Sequence, residues 1–161
     1  MSVLLRRVFV SASLAWALLL VAVPFLASRA HLPSIAAATS VAVYAFGSLV
    51  CHQLPQRSYR LWAAQMPVCA RCTGIYAGAA TASLVALAAP RRAGARALAA
   101  RAVTRRARAI LALAVAPSLA TLVYEWTTRH APANTIRFAA GLPIGIAVAW
   151  LLVAASEDQV N

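Results

Sequence analysis

Cys51-His52 and Cys69-Ala70-Arg71-Cys72 are the residues of this chain whose types and spacing suit chemistry. All three cysteines and one of three histidines fall within 22 residues, between two long apolar segments. Apolar helices require no thiols in that arrangement. A borderline-soft metal such as zinc does: it takes four sulfur or nitrogen ligands in a tetrahedron, often with one CxxC pair among them. Cys51, His52, Cys69 and Cys72 are therefore the candidate metal ligands, with zinc the candidate cofactor. Cys69 and Cys72 flank the start of an apolar segment, and a helix N-terminus beside Arg71 lowers thiol pKa and favours the ligating thiolate. Cys51 and His52 are about 100° apart on a regular helix, so joint ligation needs an irregular turn, for which Pro55 is well placed. Pro67 bends the chain before the CxxC, and the 16 residues from His52 to Cys69 are enough to loop back. Two other readings stand beside the metal: a redox-active Cys69–Cys72 pair with Cys51 as resolving or spare thiol, and inert buried cysteines. His31 and His130 read as interfacial bystanders.

Charged groups collect near this motif. Arg57-Ser58-Tyr59-Arg60 lies in the same loop, either anchoring it to headgroups or holding a phosphate or carboxylate with arginine forks. Glu125 falls at the C-terminal end of one apolar segment and Arg137 in the first turn of the next, each against its helix dipole, so they are expected to compensate one another. Pro132 and Asn134 read as the intervening turn and an N-cap. Glu125 is also the only carboxylate outside the C-terminal tail. It is the candidate catalytic base, with Arg57, Arg60, Arg71 and Arg137 as the anion- or lipid-binding set.

The elements that must position these groups are membrane helices. Of 161 residues, 63% are hydrophobic, and mean hydropathy is +0.77. A spanning helix needs roughly 20 mostly apolar residues. Uncharged stretches predict an all-α integral membrane bundle of about five transmembrane helices in one domain, 1–161, with spans near 8–28, 34–50, 72–90, 108–126 and 136–155. The fourth reaches full length only by carrying Glu125 into the interface. The third and fourth are Ala-rich and weakly apolar, so neighbouring helices are expected to bury them. The first run is too long for a signal-peptide core, and Arg29 sits awkwardly beside any cut, so it reads as an uncleaved span.

Charge is one-sided. All 15 basic residues are Arg, against three acidic ones, and seven (91, 92, 96, 101, 105, 106, 108) crowd the link between the third and fourth spans. Without interleaved aromatics or a recognition motif, nucleic acid is not the expected partner. A cytoplasmic stretch facing anionic headgroups is. The positive-inside bias puts Arg91–Arg108 in the cytoplasm and the Cys/His loop on the opposite face of the cell membrane. Five crossings would then set the N-terminus outside with that loop, against the bias of Arg6 and Arg7. Gly74-x-x-x-Gly78 and Gly141-x-x-x-Gly145 have the small-residue spacing of close helix packing, within one protomer or across a homo-oligomer.

Cys51-His52-Gln53-Leu54-Pro55-Gln56-Arg57-Ser58, followed by Pro67-Val68-Cys69-Ala70-Arg71-Cys72-Thr73-Gly74-Ile75-Tyr76-Ala77-Gly78, resembles the signature of the uncharacterised membrane family named domain of unknown function 2085. The likeness continues through Pro117, Asn134, Arg137, Gly141 and Gly145, over about residues 45–150. It implies a small multi-span membrane protein with a Cys/His motif and supplies no activity. That family often has Asp where this chain has Thr121, and Gln where it has Glu125. Here the carboxylate stands one helical turn further along the same face, which weakens Glu125 as a family-wide catalytic group.

Three functions follow as expectations. The first is a metal-stabilised membrane scaffold or lipid- or anion-binding protein. The second is a zinc-dependent membrane enzyme acting on an anionic lipid-like substrate, and thiol–disulfide redox chemistry stands as its thiol-based counterpart. Ion transport is weakest, because no span carries a ladder of acidic or His residues.

Overall fold

The computed structural model describes residues 2–29, 31, 33–88 and 106–158. Among them are five helices: α1 (Ser2–Ala27), α2 (Ser34–Val50), α3 (Ala70–Ala88), α4 (Ala107–Thr128) and α5 (Asn134–Asp158). Between α2 and α3 lie one 3-10 turn, Pro55–Arg57, and a two-stranded hairpin of β1 (Arg60–Leu61) and β2 (Ala64–Gln65). The architecture is all-α apart from that hairpin. Three helices are long and apolar enough to cross a bilayer: α1 over Leu4–Ala27, α4 throughout, and α5 over Asn134–Ala155. The 19 residues of α3 extend about 28 Å, but Ala, Gly and Thr supply little apolar surface. The five arginines 91–105 lie outside the described residues. Arg106 and Arg108, at the start of α4, are exposed.

The glycines explain how α3 is used. A Cβ at Gly74 would run into the Phe138 carbonyl, and one at Gly78 into that of Leu142. Conversely, Gly141 abuts the Arg71 carbonyl and Gly145 that of Ile75. The two small-residue motifs therefore face each other within one chain, and α3 and α5 pack in parallel, backbone to backbone. This pair makes the most extensive helix contact of the structure. Most of α3 is at least half-buried, as its composition led one to expect. The same expectation fails for α4, of whose apolar stretch only 11% is buried. It presents one narrow face, Ala114, Ser118 and Glu125, to α5, and most of the rest of its surface is exposed. Ser118 donates to the Ala140 carbonyl across that face at 2.8 Å.

The direction of α1 follows from its contacts. Arg6 donates to the Ala86 carbonyl at the far end of α3, at 2.9 Å. Leu5, Arg6 and Phe9 line one cavity with Leu152 and Val153 of α5. At its other end, α1 brings Leu20 against Cys51, Met66 and Val68, and Phe25 against Trp62 of the hairpin, with ring centroids 5.3 Å apart. So α1 is antiparallel to α3 and α5, and its N-terminus lies at the end of the bundle opposite the cysteines. After α1 has reached the cysteine end, a short link leads into α2, which finishes at Cys51 on that same end.

The start of α1 and the last turns of α5 lie at one end of the bundle, where Leu5, Arg6 and Phe9 meet Leu152 and Val153. Reporter fusions, a periplasmic-active enzyme and a cytoplasm-active fluorophore placed at each terminus in turn, are expected to give the same sidedness at both. Opposite sidedness would mean an odd number of crossings.

Candidate metal centre and an adjoining charged cluster

The cysteines converge because a small hydrogen-bonded loop folds back on the end of α2. Gly47 allows it: a side chain there would collide with the Pro67 carbonyl. Gln53, at φ 48°, sends its Nε2 to the Tyr44 carbonyl at 2.9 Å and to the Pro67 carbonyl at 2.5 Å. Gln65 Nε2 donates to the Gln53 carbonyl at 2.6 Å, and the Tyr44 hydroxyl donates to the Gln65 carbonyl. The hairpin turns on Trp62 and Ala63, at φ 50° and 64°, with Leu61 paired to Ala64. Two positive φ values match the twist of a tight hairpin, although neither residue is the Gly or Asn that adopts them freely. Backbone polarity is thus satisfied by Gln and Tyr side chains that the sequence reading passed over. Gln53 belongs to the ungapped motif, whereas Tyr44 and Gln65 lie outside it and carried no sequence signal.

Cys51 leaves α2 in an extended conformation, φ −149° and ψ 138°, the irregularity that a ligand at this position requires. Its sulfur accepts a hydrogen bond from the Cys69 backbone N–H at 3.2 Å. Cys72 lies in the first turn of α3. The three sulfur atoms all lie within 4.8 Å of one another. All three cysteines are free thiols, set among Leu20, Met66, Val68, Trp16, Tyr59 and Tyr76. Tetrahedral zinc with sulfur at about 2.3 Å places its ligands about 3.8 Å apart, so small side-chain rotations complete the fit. Hydrogen bonding from the Cys72 thiol, then from the Cys72 backbone, the Cys51 thiol and the Arg71 backbone, outweighs burial and holds the Cys69 thiol well down, at about 5. Thiolate character at this position is the form a metal binds. His52 is exposed and stands outside the group of three sulfurs. His130 and His31 are exposed as well.

A second polar centre adjoins the first. Glu125 Oε1 accepts from Arg137 Nη2 at 3.1 Å and pairs with Arg57 Nη2. This is the compensation of opposed dipoles expected from the sequence, with Arg57 as an additional partner. Arg71, between the CxxC cysteines, donates to Thr121 Oγ1 at 2.9 Å. Thr121 is one turn before Glu125 on α4. Asn134 does not cap α5: its Nδ2 bonds the Ser58 carbonyl at 3.3 Å, and Oδ1, the atom a cap would use, has no partner. The tie to the loop takes precedence over the cap. Arg60 is exposed on β1. Of the residues proposed to face an anion, the structure therefore groups Arg57 and Arg137 directly around Glu125, with Arg71 one turn away on the same helix face. Glu125, the candidate base, is engaged by two guanidinium groups and is not among the grouped ligand atoms.

Comparison with known proteins finds a family of membrane proteins. The model of the predicted membrane protein family DUF2085 matches residues 51–151. An uncharacterised protein of Methanothermobacter thermautotrophicus is 35% identical over 105 residues, covering 63% of this chain and 83% of that one. An uncharacterised protein of Methanocaldococcus jannaschii is 56% identical over 39 residues, 24% of this chain and 25% of that one. The chain thus spans a quarter of the length of the latter and most of the former. No solved structure matches.

Proposed function

The chain belongs to the domain of unknown function 2085 family of membrane proteins, and from that premise we propose that it is a metal-stabilised membrane scaffold whose thiols hold one zinc ion. The observation that carries this reading is the gathering of Cys51, Cys69 and Cys72 sulfurs within 4.8 Å of one another. Three thiols brought together from a helix end, a loop and a helix start, in an apolar setting, are poorly explained by packing. A thiophilic ion gives each of them a bond and fastens the loop 52–68 to both α2 and α3. Such a site favours a structural role, because thiolate-rich zinc is usually closed and structural. The fourth ligand is His52, which follows Cys51 directly, or an external donor.

The membrane orientation proposed for this scaffold puts both termini and the 89–105 link in the cytoplasm, with the thiols on the outer side. Nine arginines then fall on the cytoplasmic side (6, 7, 91, 92, 96, 101, 105, 106 and 108).

The test is elemental analysis of protein purified in detergent without added metal, together with a count of reactive thiols. About one zinc per chain, with thiols that react only after chelation, is the expected result. Absence of metal with one free thiol of three would replace zinc by thiol–disulfide chemistry. Zinc that persists undiminished in His52→Ala would assign the fourth position to an external donor.

A further inference from the structure

The charged cluster is short of one anion. Three guanidinium groups, Arg57, Arg71 and Arg137, collect on one face of α4 against the single carboxylate of Glu125. Arg137 is 3% exposed, yet its Nη1 has no hydrogen-bond partner, and neither has Arg71 Nε. Buried donors left without a partner carry an uncompensated desolvation cost, larger when they are charged. The backbone adds to the excess: α3 and α5 run parallel, so both present the positive ends of their dipoles here. One carboxylate is satisfied by one guanidinium fork. Arginines arriving from a loop, from α3 and from α5 call for an acceptor with oxygens in several directions and more than one negative charge. Asn134 Oδ1, also buried and unpartnered, calls for an O–H donor nearby.

We propose that this cluster binds a phosphate group, with Arg57, Arg71 and Arg137 as its ligands and Glu125 as the internal counter-anion that holds them in its absence. Tetrahedral phosphate supplies three or four acceptor oxygens and up to two charges, matching the excess, and its protonated oxygen or an adjoining headgroup hydroxyl matches Asn134. The phosphate comes either from a phospholipid headgroup or from solution. The site uses different side chains from the thiol centre and does not depend on zinc being there.

The test uses the full-length protein with its metal content measured in each sample. One arm titrates inorganic phosphate against chloride of equal ionic strength in detergent, read by calorimetry. The other reconstitutes the protein in phosphatidylcholine nanodiscs with or without phosphatidic acid, and reads lipid retention by native mass spectrometry. Binding in the first arm alone identifies free phosphate as the source, and retention in the second alone identifies the headgroup. Either supports the site. Arg71→Gln is expected to weaken binding by roughly tenfold or more, the loss of one charge-assisted contact. Arg57→Gln, on the loop, repeats the test should the helix variant fail to fold. Glu125→Gln, which removes the competing carboxylate, is expected to bind at least as tightly as the native chain. No binding in either arm, or equal binding by the arginine variants, overturns the proposal. A sample that keeps its zinc and binds no phosphate rejects this site alone.

Discussion

Cys69→Ser is expected to empty the metal site and to bring the largest loss of stability of any thiol substitution. Cys69 is doubly engaged in the cluster: its sulfur lies within 4.8 Å of those of Cys51 and Cys72, and its backbone N–H donates to Cys51 Sγ. A serine hydroxyl is smaller, harder and not ionised near neutrality, so the ion would keep only two of its sulfur ligands. A complete thiolate-rich zinc site is worth roughly 10–16 kcal/mol in small zinc domains. Losing even a fraction of that exceeds the one or two kcal/mol of an ordinary buried polar substitution. Two measurements separate the metal from mere packing. Zinc per chain should fall from about one to near zero. The melting temperature of the variant in detergent should then be insensitive to chelator, while chelation should lower the native protein toward the variant's value. A Cys69→Ser protein that retains stoichiometric zinc would show that the ligand set is elsewhere. A native protein indifferent to chelation would show that the metal is not structural.

What was legible in the sequence, and what was not, divides along physical lines. The five helices were readable because long uncharged runs leave few alternatives to helix in lipid. The Glu125–Arg137 pair was readable because each charge opposes its own helix dipole. The facing glycines left only the choice between one chain and two. The third partner of Glu125 was not readable, because nothing local says where a loop arginine reaches. Asn134 was misread as a cap, because a side chain that starts a helix has the same local signature whether it bonds its own backbone or a distant carbonyl. Whether α2 crosses was not readable for a related reason: length and hydropathy count apolar residues, and they carry no information on whether a 17-residue helix crosses or returns. Arg6 and Arg7 were the sequence's own objection to an odd number of crossings, and Arg6 lies against the end of α3 opposite the cysteines.

Gly145 offers the sharpest test of the seam on which both centres rest. In an exposed helix, Gly→Ala gains about 1 kcal/mol, since glycine is the poorer helix former. At Gly145 the sign should reverse. A Cβ there would overlap the Ile75 carbonyl oxygen and lie 2.7 Å from the Ala79 nitrogen and 2.8 Å from the Ile75 carbonyl carbon. These are backbone atoms, which no rotamer change can move aside. Relief requires α3 and α5 to separate along their length, and overpacking of this kind costs about 1–3 kcal/mol for a single methyl and more for a branched side chain. Gly145→Ala is therefore expected to lower the melting temperature and Gly145→Val to prevent recovery of a monodisperse protein. The damage should also travel. Arg71 and Gly141 meet across the same seam, so separation of the helices draws the Arg71 segment away from α4 and the CxxC cysteines away from Cys51. Reduced zinc content in Gly145→Ala, which meets α3 about one helical turn beyond Cys72 along the α3–α5 seam, would show that the parallel glycine packing positions the thiols. A stabilised Gly145→Ala would mean instead that α3 and α5 do not approach so closely.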